Sequence, residues 1–268
     1  MTVISTARPT TSTVSQWWVL TTRLIAPTLR NGELVIAFTA SAVFTAGFYI
    51  PLNQVIGART GMSSYAQYLM PMVVMQAIAF ASISASFRAA TDAVQGINRR
   101  FSSMPIAAST PLAARMSASM YRCVIGLTAA IISVHVVGFR FYGSIWNTIG
   151  LCALALMIGF TLSLLADVIG TASRNPEATT QWLALPQLIF GMLSVGFQPA
   201  ALFPEWIQPL VRNQPVSQFI YAMRALAGDS TPTAGVVDWA TIGPSVLWIA
   251  ALITVTVILS KFVLGRRS

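Results

Sequence analysis

Long uncharged stretches, separated by short segments that carry arginine, are the main pattern of this chain. A helix needs about 20 apolar residues to cross the hydrocarbon core of a bilayer. Membrane strands are shorter, about 9–11 alternating residues, and lipid leaves no partner for an unpaired backbone group. The pattern therefore predicts an all-α integral membrane fold whose six spanning helices lie at 34–56, 67–87, 116–138, 145–166, 180–199 and 242–262.

The third stretch is the shortest of the six, because Arg122 and Arg140 enclose it closely. It extends towards its N-terminus through residues 116–121 if the aliphatic stem of Arg122 lies in the apolar region and its guanidinium reaches the headgroups. We therefore expect Arg122 inside a membrane helix.

Composition supports a membrane protein and excludes several other classes. Only 9% of the 268 residues are charged, where soluble domains have about 25%. Hydrophobic residues make up 55%, and the mean hydropathy is +0.70. Cys123 and Cys152 are too few for a disulfide-stapled fold or a multi-cysteine zinc site, so no metal site is expected.

The basic residues indicate orientation, because cytoplasmic loops of membrane proteins carry an excess of Lys and Arg. If both termini are cytoplasmic, twelve of the 16 basic residues lie on the inner side. They are Arg8, Arg23, Arg30, Arg88, Arg99, Arg100, Arg115, Arg122, Arg174, Lys261, Arg266 and Arg267. The outer side then holds Arg59, Arg140, Arg212 and Arg224. The net charge of +9 thus indicates topology, and nucleic-acid binding is disfavoured because no basic run reaches five residues.

The N-terminal 32 residues form a unit of their own. Residues 1–16 are rich in Ser and Thr and resemble no cleavable signal peptide. Residues 16–30 place Trp17, Leu20, Leu24 and Thr28 on one helical face, which predicts an interfacial helix interrupted at Pro27 and ended by Asn31-Gly32. An unstructured lead-in is the alternative.

Two segments between the spans are too distinctive for simple loops. Residues 88–111 predict a short cytoplasmic helix with Asp92 early, Arg99 and Arg100 late, and Pro105 as its stop. This suggests a docking element, with a lipid-binding surface loop as the alternative.

The second segment, 199–228, contains four prolines. An apolar stripe runs through Phe203, Trp206, Ile207, Leu210 and Val211. The stripe predicts a helical hairpin that enters the outer leaflet, or an amphipathic helix on the surface. Arg224 lies on an apolar face, where we expect it to bond carbonyl groups.

Catalytic motifs are absent from the sequence. The single lysine, Lys261, is followed by Phe262, so no phosphate-binding loop is present. His135 and Asp167 are the only candidates for a membrane enzyme that modifies lipids, and the predicted topology puts them at opposite faces of the bilayer. Asp167 is instead expected to be exposed or paired with arginine. An ion-coupled transporter, the other alternative, usually needs carboxylates near mid-membrane.

Several blocks of sequence resemble the ABC-2 family of transporter permeases, in particular its daunorubicin-resistance type. The blocks are Phe87–Asp92, Asn98–Phe101, Ser103–Pro105, Gly138–Phe141, Gly170-Thr171, Arg174–Pro176, Leu202–Pro204, Trp206-Ile207, Val211–Pro215, Ser217–Phe219 and Arg224–Asp229. The resemblance implies a half-transporter permease in the bacterial plasma membrane that pairs with a second, paralogous permease and with two copies of a separate ATPase. ATP and Mg²⁺ would bind that ATPase, and this chain would bind no cofactor. Mycobacterial members of the type are associated with export of long-chain lipids such as phthiocerol dimycocerosates, and the wider family with drug efflux.

The resemblance also implies roles for segments within a 33–268 transmembrane domain. The N-terminal helix and residues 91–104 would contact the ATPase, and residues 200–228 would form extracytoplasmic re-entrant helices. The expected coupling residues are Arg88, Asp92, Gln95, Arg99, Arg100 and Phe101. The expected re-entrant residues are Phe203, Pro204, Trp206, Pro215 and Arg224. An apolar substrate path would use Phe44, Phe48, Tyr49, Phe190 and Phe197, although helix packing explains these aromatics equally well.

Overall fold

The computed structural model describes residues 12–104, 106–107, 109–173 and 175–265, without the side chains of Asn98, Arg99, Ser102, Val263 and Leu264. Within these ranges the regular structure is helical, with short 3-10 turns at 57–59, 200–202 and 232–234. The α-helices are α1 Thr13–Arg30, α2 Glu33–Ile56, α3 Tyr65–Val94, α4 Ile97–Ser102, α5 Thr110–Val136, α6 Ile145–Ala172, α7 Pro176–Met192, α8 Gln208–Asn213, α9 Pro215–Ala227 and α10 Trp239–Gly265. The all-α prediction is confirmed.

Five segments of the described chain are long and apolar enough to cross a membrane. They are Glu33–Arg59, Tyr65–Val94, Thr110–Val136, Ile145–Ala172 and Pro232–Phe262, and each contains most or all of one predicted span. The chain is therefore a multi-pass integral membrane protein. The predicted span at 180–199 differs, because its helix α7 has 17 residues and ends at Met192.

A tight turn ends α7 early. The Ser194 hydroxyl donates to the Gly191 carbonyl at 2.7 Å and accepts from the Gly196 amide at 3.1 Å. A side chain at Gly196 would meet Met72 of α3, with a Cβ atom only 2.7 Å from its Sδ. The chain turns here because only glycine fits so close to α3.

Helix α3 is the centre of the bundle, in contact with α2, α5, α6, α7 and α9. Small residues on α6 allow it to approach α3 and α5 most closely. A Cβ atom at Gly170 of α6 would lie 2.3 Å from the Ser86 carbonyl oxygen, and one at Gly159 would lie 2.9 Å from Cys123 Sγ. Because α3 is covered on most sides, it holds the largest share of the buried core.

The N-terminal helix α1 packs on α5 through the predicted face. Trp17 Nε1 donates to Ser117 Oγ at 3.1 Å, and Thr28 is buried. The interruption expected at Pro27 is wrong, since α1 continues to Arg30. Proline here removes a single backbone bond near the helix end, and the Asn31 amide still bonds the Pro27 carbonyl at 2.8 Å.

The single short helix expected between residues 92 and 100 is also wrong. Arg88 and Asp92 belong to the last turns of α3, which extends to Val94. Gly96, at φ +70°, ends that helix in the left-handed conformation, and α4 begins at Ile97. The expected stop at Pro105 lies outside the described residues, as do Arg8, Arg174, Arg266 and Arg267.

The segment after α7 contains short helices. The apolar stripe from Phe203 to Val211 does not form one helix, because α8 begins only at Gln208. Trp206 is 81% exposed, whereas Val211 is fully buried. Helix α9 follows directly and packs against α3, α6 and α10.

Candidate functional site

Charged residues that are distant in sequence converge at one end of the bundle. At this basal end α1 packs on α5 and contacts α2, and ion pairs join the first turns of α2 and α5 to the last turns of α3 and α6. Three of the seven acidic residues of the chain are here. We use "basal cluster" for Arg23, Glu33, Arg88, Asp92, Arg115, Arg122 and Asp167.

Glu33 is the first residue of α2 and binds two arginines. Arg88 Nη2 lies 2.5 Å from Glu33 Oε1, and Arg122 Nε lies 3.5 Å from Oε2. Arg122 also donates to the Thr28 hydroxyl at 3.3 Å and to the Leu24 carbonyl at 3.2 Å. These contacts join α1, α2, α3 and α5, so the carboxylate at the start of α2 fixes where four helices meet.

A second ion pair joins α5 to α6. Arg115 donates to both carboxylate oxygens of Asp167, at 2.7 and 3.0 Å. The Asp167 side chain is 4% exposed. A planar guanidinium matches a carboxylate in this two-bond geometry, which keeps a buried charge compensated. The expectation of an arginine-paired Asp167 is confirmed.

A groove of about 390 Å³ opens beside the basal cluster, between α1, the end of α3, α4 and the start of α5. Four of the predicted coupling residues line this "basal groove": Arg88, Asp92, Gln95 and Phe101. Arg100 is exposed, and the side chain of Arg99 lies outside the described part. Arg88 differs from the others, because Glu33 holds its guanidinium inside the bundle.

Three aromatic rings expected in a substrate path gather between α2 and the turn after α7. Phe48 stacks on Phe197 with ring centroids 4.3 Å apart, and Phe44 lies 4.7 Å from Phe48. We call these three residues the aromatic cluster. Tyr49 instead faces Tyr65 at 6.2 Å. Phe190 is 42% exposed on α7 and takes no part in the ring contacts of the described residues.

Below the aromatic cluster, a "lateral groove" of about 450 Å³ separates α2 from α3 and α5. Phe44 closes one end of it, and Glu33 and Arg122 lie at the other. Its walls are mainly small or apolar side chains: Ile36, Ala37, Ala40, Ser41, Val73, Gln76, Ala77, Phe80, Ala81, Ser84, Ile125 and Gly126.

At the opposite end of the bundle, which the sequence predicts to be the outer end, Arg224 of α9 is 5% exposed and inserted between helices. It donates to the carbonyls of Tyr68 in α3 and Val195 in the turn after α7, at 3.0 and 3.1 Å. Its guanidinium lies 3.8 Å above the Tyr68 ring. The Tyr68 hydroxyl in turn donates to the Val195 carbonyl at 2.7 Å. Arg224 therefore fastens α9 to α3 and to the turn that ends α7.

The other residues predicted for the re-entrant region are less buried than Arg224. Pro215 begins α9, and Phe203 packs against the core. Pro204 and Trp206 are exposed. The sequence did not single out Gln67, whose amide donates to the carbonyls of Arg140 and Gly228 at 2.9 and 2.7 Å. Its position among apolar residues at the start of a span was the available signal.

His135 and Asp167 are far apart, as the topology predicted. Asp167 binds Arg115 at the start of α5, and the helical path from residue 115 to residue 135 is about 30 Å. No His, Cys, Asp and Glu group able to hold a metal occurs among the described residues.

Comparison with known proteins agrees with this architecture. Residues 35–261 match the family model described as "ABC-2 family transporter protein". The chain is 47% identical over 262 residues to the doxorubicin resistance ABC transporter permease protein DrrB of Mycobacterium tuberculosis, covering 96% of this chain and 91% of that protein. It is 25% identical over 233 residues to the probable doxorubicin resistance permease DrrC of the same species, covering 84% and 83%.

A daunorubicin resistance ABC transporter permease protein of Streptomyces coeruleorubidus is 26% identical over 164 residues, or 60% of this chain and 57% of that protein. The family model covers well over half of the chain, including α3 to α9 and nearly all of α2, whereas α1 and Glu33 lie before its first matched residue. The chain therefore belongs to the ABC-2 family of transporter proteins and is a membrane-spanning permease subunit of an ABC transporter, not itself an enzyme.

Proposed function

We propose that this permease is half of the membrane pathway of an ATP-driven exporter, with six spans, both termini cytoplasmic and the basal end facing the cytoplasm of a bacterial cell. Exposed tryptophans support two membrane interfaces: Trp18 and Trp182 near the basal end, and Trp146, Trp206 and Trp239 near the outer end. Tryptophan is enriched where hydrocarbon meets headgroups.

Helix α7 would supply the remaining span, the fifth in chain order, and the turn that follows it would complete that span. Seventeen residues of helix measure about 25 Å, slightly less than the roughly 30 Å of hydrocarbon. Its exposed residues Leu185, Leu188 and Ile189 suit lipid or a second permease. The remaining depth would be taken by residues 193–198, whose backbone is covered by α3 and α9. The short helices α8 and α9 would then be re-entrant from the outer side.

Energy would come from a separate ATPase in two copies, which would bind ATP and Mg²⁺. The basal groove carries this proposal, because it exposes Asp92, Gln95 and Phe101 between α1 and α4 at the end that we place in the cytoplasm. An ATPase that alternates between two conformations needs a contact surface of this kind, through which it shifts the permease from one arrangement of its spans to another.

A second, paralogous permease would complete the pathway. Two relatives of this chain, DrrB and DrrC, are permeases of one species, which supports pairing between different permeases. Most of α2 is exposed, with large apolar residues such as Val35, Val43 and Ile50 facing outward. These side chains suit either a partner helix or lipid.

The exported compound would be a hydrophobic lipid, of the phthiocerol dimycocerosate type, or an amphipathic drug such as doxorubicin. The aromatic cluster of Phe44, Phe48 and Phe197 supports an apolar substrate. Aromatic rings bind flat or apolar molecules without requiring a specific polar partner.

The test is reconstitution of this permease with a candidate ATPase and the second permease in lipid nanodiscs. We expect ATP hydrolysis only in the assembled complex, and an increase when doxorubicin or a long-chain diester lipid is added. Chemical conversion of the lipid without ATP would favour the membrane-enzyme alternative. Transport that follows an ion gradient without ATP would favour the ion-coupled alternative.

A further inference from the structure

The lateral groove has the depth of one lipid leaflet. Its wall on α2 runs from Glu33 to Phe44, about 17 Å of helix. Half of a bilayer's hydrocarbon core is about 15 Å thick. The charged end of the groove therefore lies at the level of the headgroups when its aromatic end lies near the membrane centre.

The charged end is positive. Glu33 is bound by both Arg88 and Arg122, so one carboxylate faces two guanidinium groups. Counting the whole basal cluster gives the same balance, because four arginines stand against three acidic residues. The formal charge of the basal cluster is therefore +1.

Arg122 connects this charge to the groove, because its side chain lines it while remaining 8% exposed. A buried cation that has only a shared carboxylate is stabilised by a further anion within hydrogen-bond reach. Next to Arg122 the groove is wide, because three of its lining residues are small: Ala37, Ala40 and Gly126. The other lining residues there are mainly apolar, so the space suits an acyl chain.

From this combination of depth, charge and apolar walls we infer that the lateral groove binds one anionic phospholipid of the inner leaflet. Its phosphate contacts Arg122, and an acyl chain extends along α2 towards Phe44. This inference goes beyond the proposed function, because it concerns a lipid retained by the permease and holds for any exported compound.

The experiment measures lipid retained by the assembled complex. The complex is exchanged into detergent with phosphatidylglycerol or phosphatidylcholine, and native mass spectrometry counts the bound molecules. We expect one phosphatidylglycerol per chain to survive where phosphatidylcholine does not. Arg122→Gln should weaken retention about tenfold, because it removes a charge-assisted hydrogen bond. Arg59→Gln, an exposed arginine at the far end of α2, should change nothing.

A second variant separates the groove from the fold of the cluster. Ala40 lines the groove and Ala42 does not, although both are exposed alanines of α2. Ala40→Phe should therefore displace the lipid, and Ala42→Phe should not. Equal retention of both lipids, or unchanged retention in Ala40→Phe, would overturn the inference.

The alternative occupant is a helix of the second permease. A photoreactive phenylalanine analogue in place of Phe80, which lines the groove and is already a phenylalanine, should label phospholipid. Labelling of the second permease instead would show that a protein covers the groove and would contradict lipid binding.

Discussion

Polar side chains at the end of the bundle opposite the basal cluster satisfy backbone carbonyls at the end of α7 and in the turn that follows it. The Gln214 amide donates to the Leu193 carbonyl at 2.7 Å, and the Tyr65 hydroxyl donates to the Phe197 carbonyl at 2.9 Å. The last carbonyls of any helix lack partners inside it, and hydrocarbon supplies none. These single residues therefore allow a helix to end inside the apolar part of the protein.

Arg224 makes the strongest of these attachments. We expect Arg224→Ala to reduce stability by about 2–4 kcal/mol, because two carbonyl bonds and the stacking on Tyr68 are lost from a buried position. Thermal unfolding of the purified permease would measure the change. Arg212→Ala is the matched control, since Arg212 is exposed on α8 and should shift the midpoint little. Equal shifts in the two variants would contradict this role.

Asp229 ties the loop after α2 to the segment after α9. It accepts a hydrogen bond from the Ser63 amide at 2.9 Å and others from the hydroxyls of Ser63 and Thr231. Partial burial raises the pKa of Asp229, but these hydrogen bonds outweigh it and hold the pKa below its usual value of 3.8. A lowered folded pKa means that the tie is present above the usual value and is lost as pH falls through the lowered one.

We therefore expect the Ser63 amide to stay protected from hydrogen exchange at neutral and mildly acidic pH, after correction for the intrinsic rate. Protection should be lost only below about pH 3.8. Asp229→Asn should reduce protection already at pH 7, while Asp238→Asn, at the carboxylate that accepts from the Thr241 amide, should not. Protection in Asp229→Asn equal to that of the unchanged protein would count against the tie.

Among the elements, α3 and α6 depend most on close backbone contact. Their crossing places Gly170 against the Ser86 carbonyl, where an added Cβ would lie 2.3 Å from the oxygen. Backbone atoms cannot move aside as a flexible side chain can, so the two helices would have to separate.

Gly170→Ala should therefore lower stability by about 1–3 kcal/mol in spite of the better helix propensity of alanine. Gly47→Ala is the matched control, because nothing lies within 4 Å of a Cβ atom at Gly47 in α2. The measurement is the melting temperature of each variant. If Gly47→Ala melts as low as Gly170→Ala, the close contact between Gly170 and Ser86 is not the cause of the loss.

For the whole molecule, the arginines of the basal end divide into two groups. Arg88, Arg115 and Arg122 bind carboxylates inside the bundle. Arg100 is exposed on α4 beyond the bundle, next to the basal groove. The first group lies inside the fold, whereas we propose that the exposed Arg100 of α4 contacts a partner.

Charge reversal at Arg99 and Arg100 should accordingly uncouple ATP hydrolysis from export, reducing export roughly tenfold or more at similar ATP turnover. The melting temperature should stay unchanged. Arg88→Glu should instead lower the melting temperature, because it places two carboxylates together at Glu33. Normal export in the double reversal would reject α4 as part of the coupling surface.

Much of the fold could be predicted because lipid restricts it strongly. The five helices long and apolar enough to cross a membrane follow from uncharged length alone. The continuation of α1 through Pro27 could not be predicted, because it depends on the packing of α1 against α5, which local propensity does not record. The break at Gly96 carried a local signal that the sequence prediction missed, since glycine commonly ends a helix in the left-handed conformation.

The sequence by itself determined the all-helical membrane class, because long uncharged stretches suit hydrocarbon and lipid leaves no partner for an unpaired backbone group. It also singled out Asp92, Phe101 and Arg224. Only the tertiary structure decided which charges are paired. Glu33 meets Arg88 and Arg122, and Asp167 meets Arg115, across distances in sequence that no local pattern reveals. The same packing formed the basal and lateral grooves, since a cavity is the space that several helices leave between them.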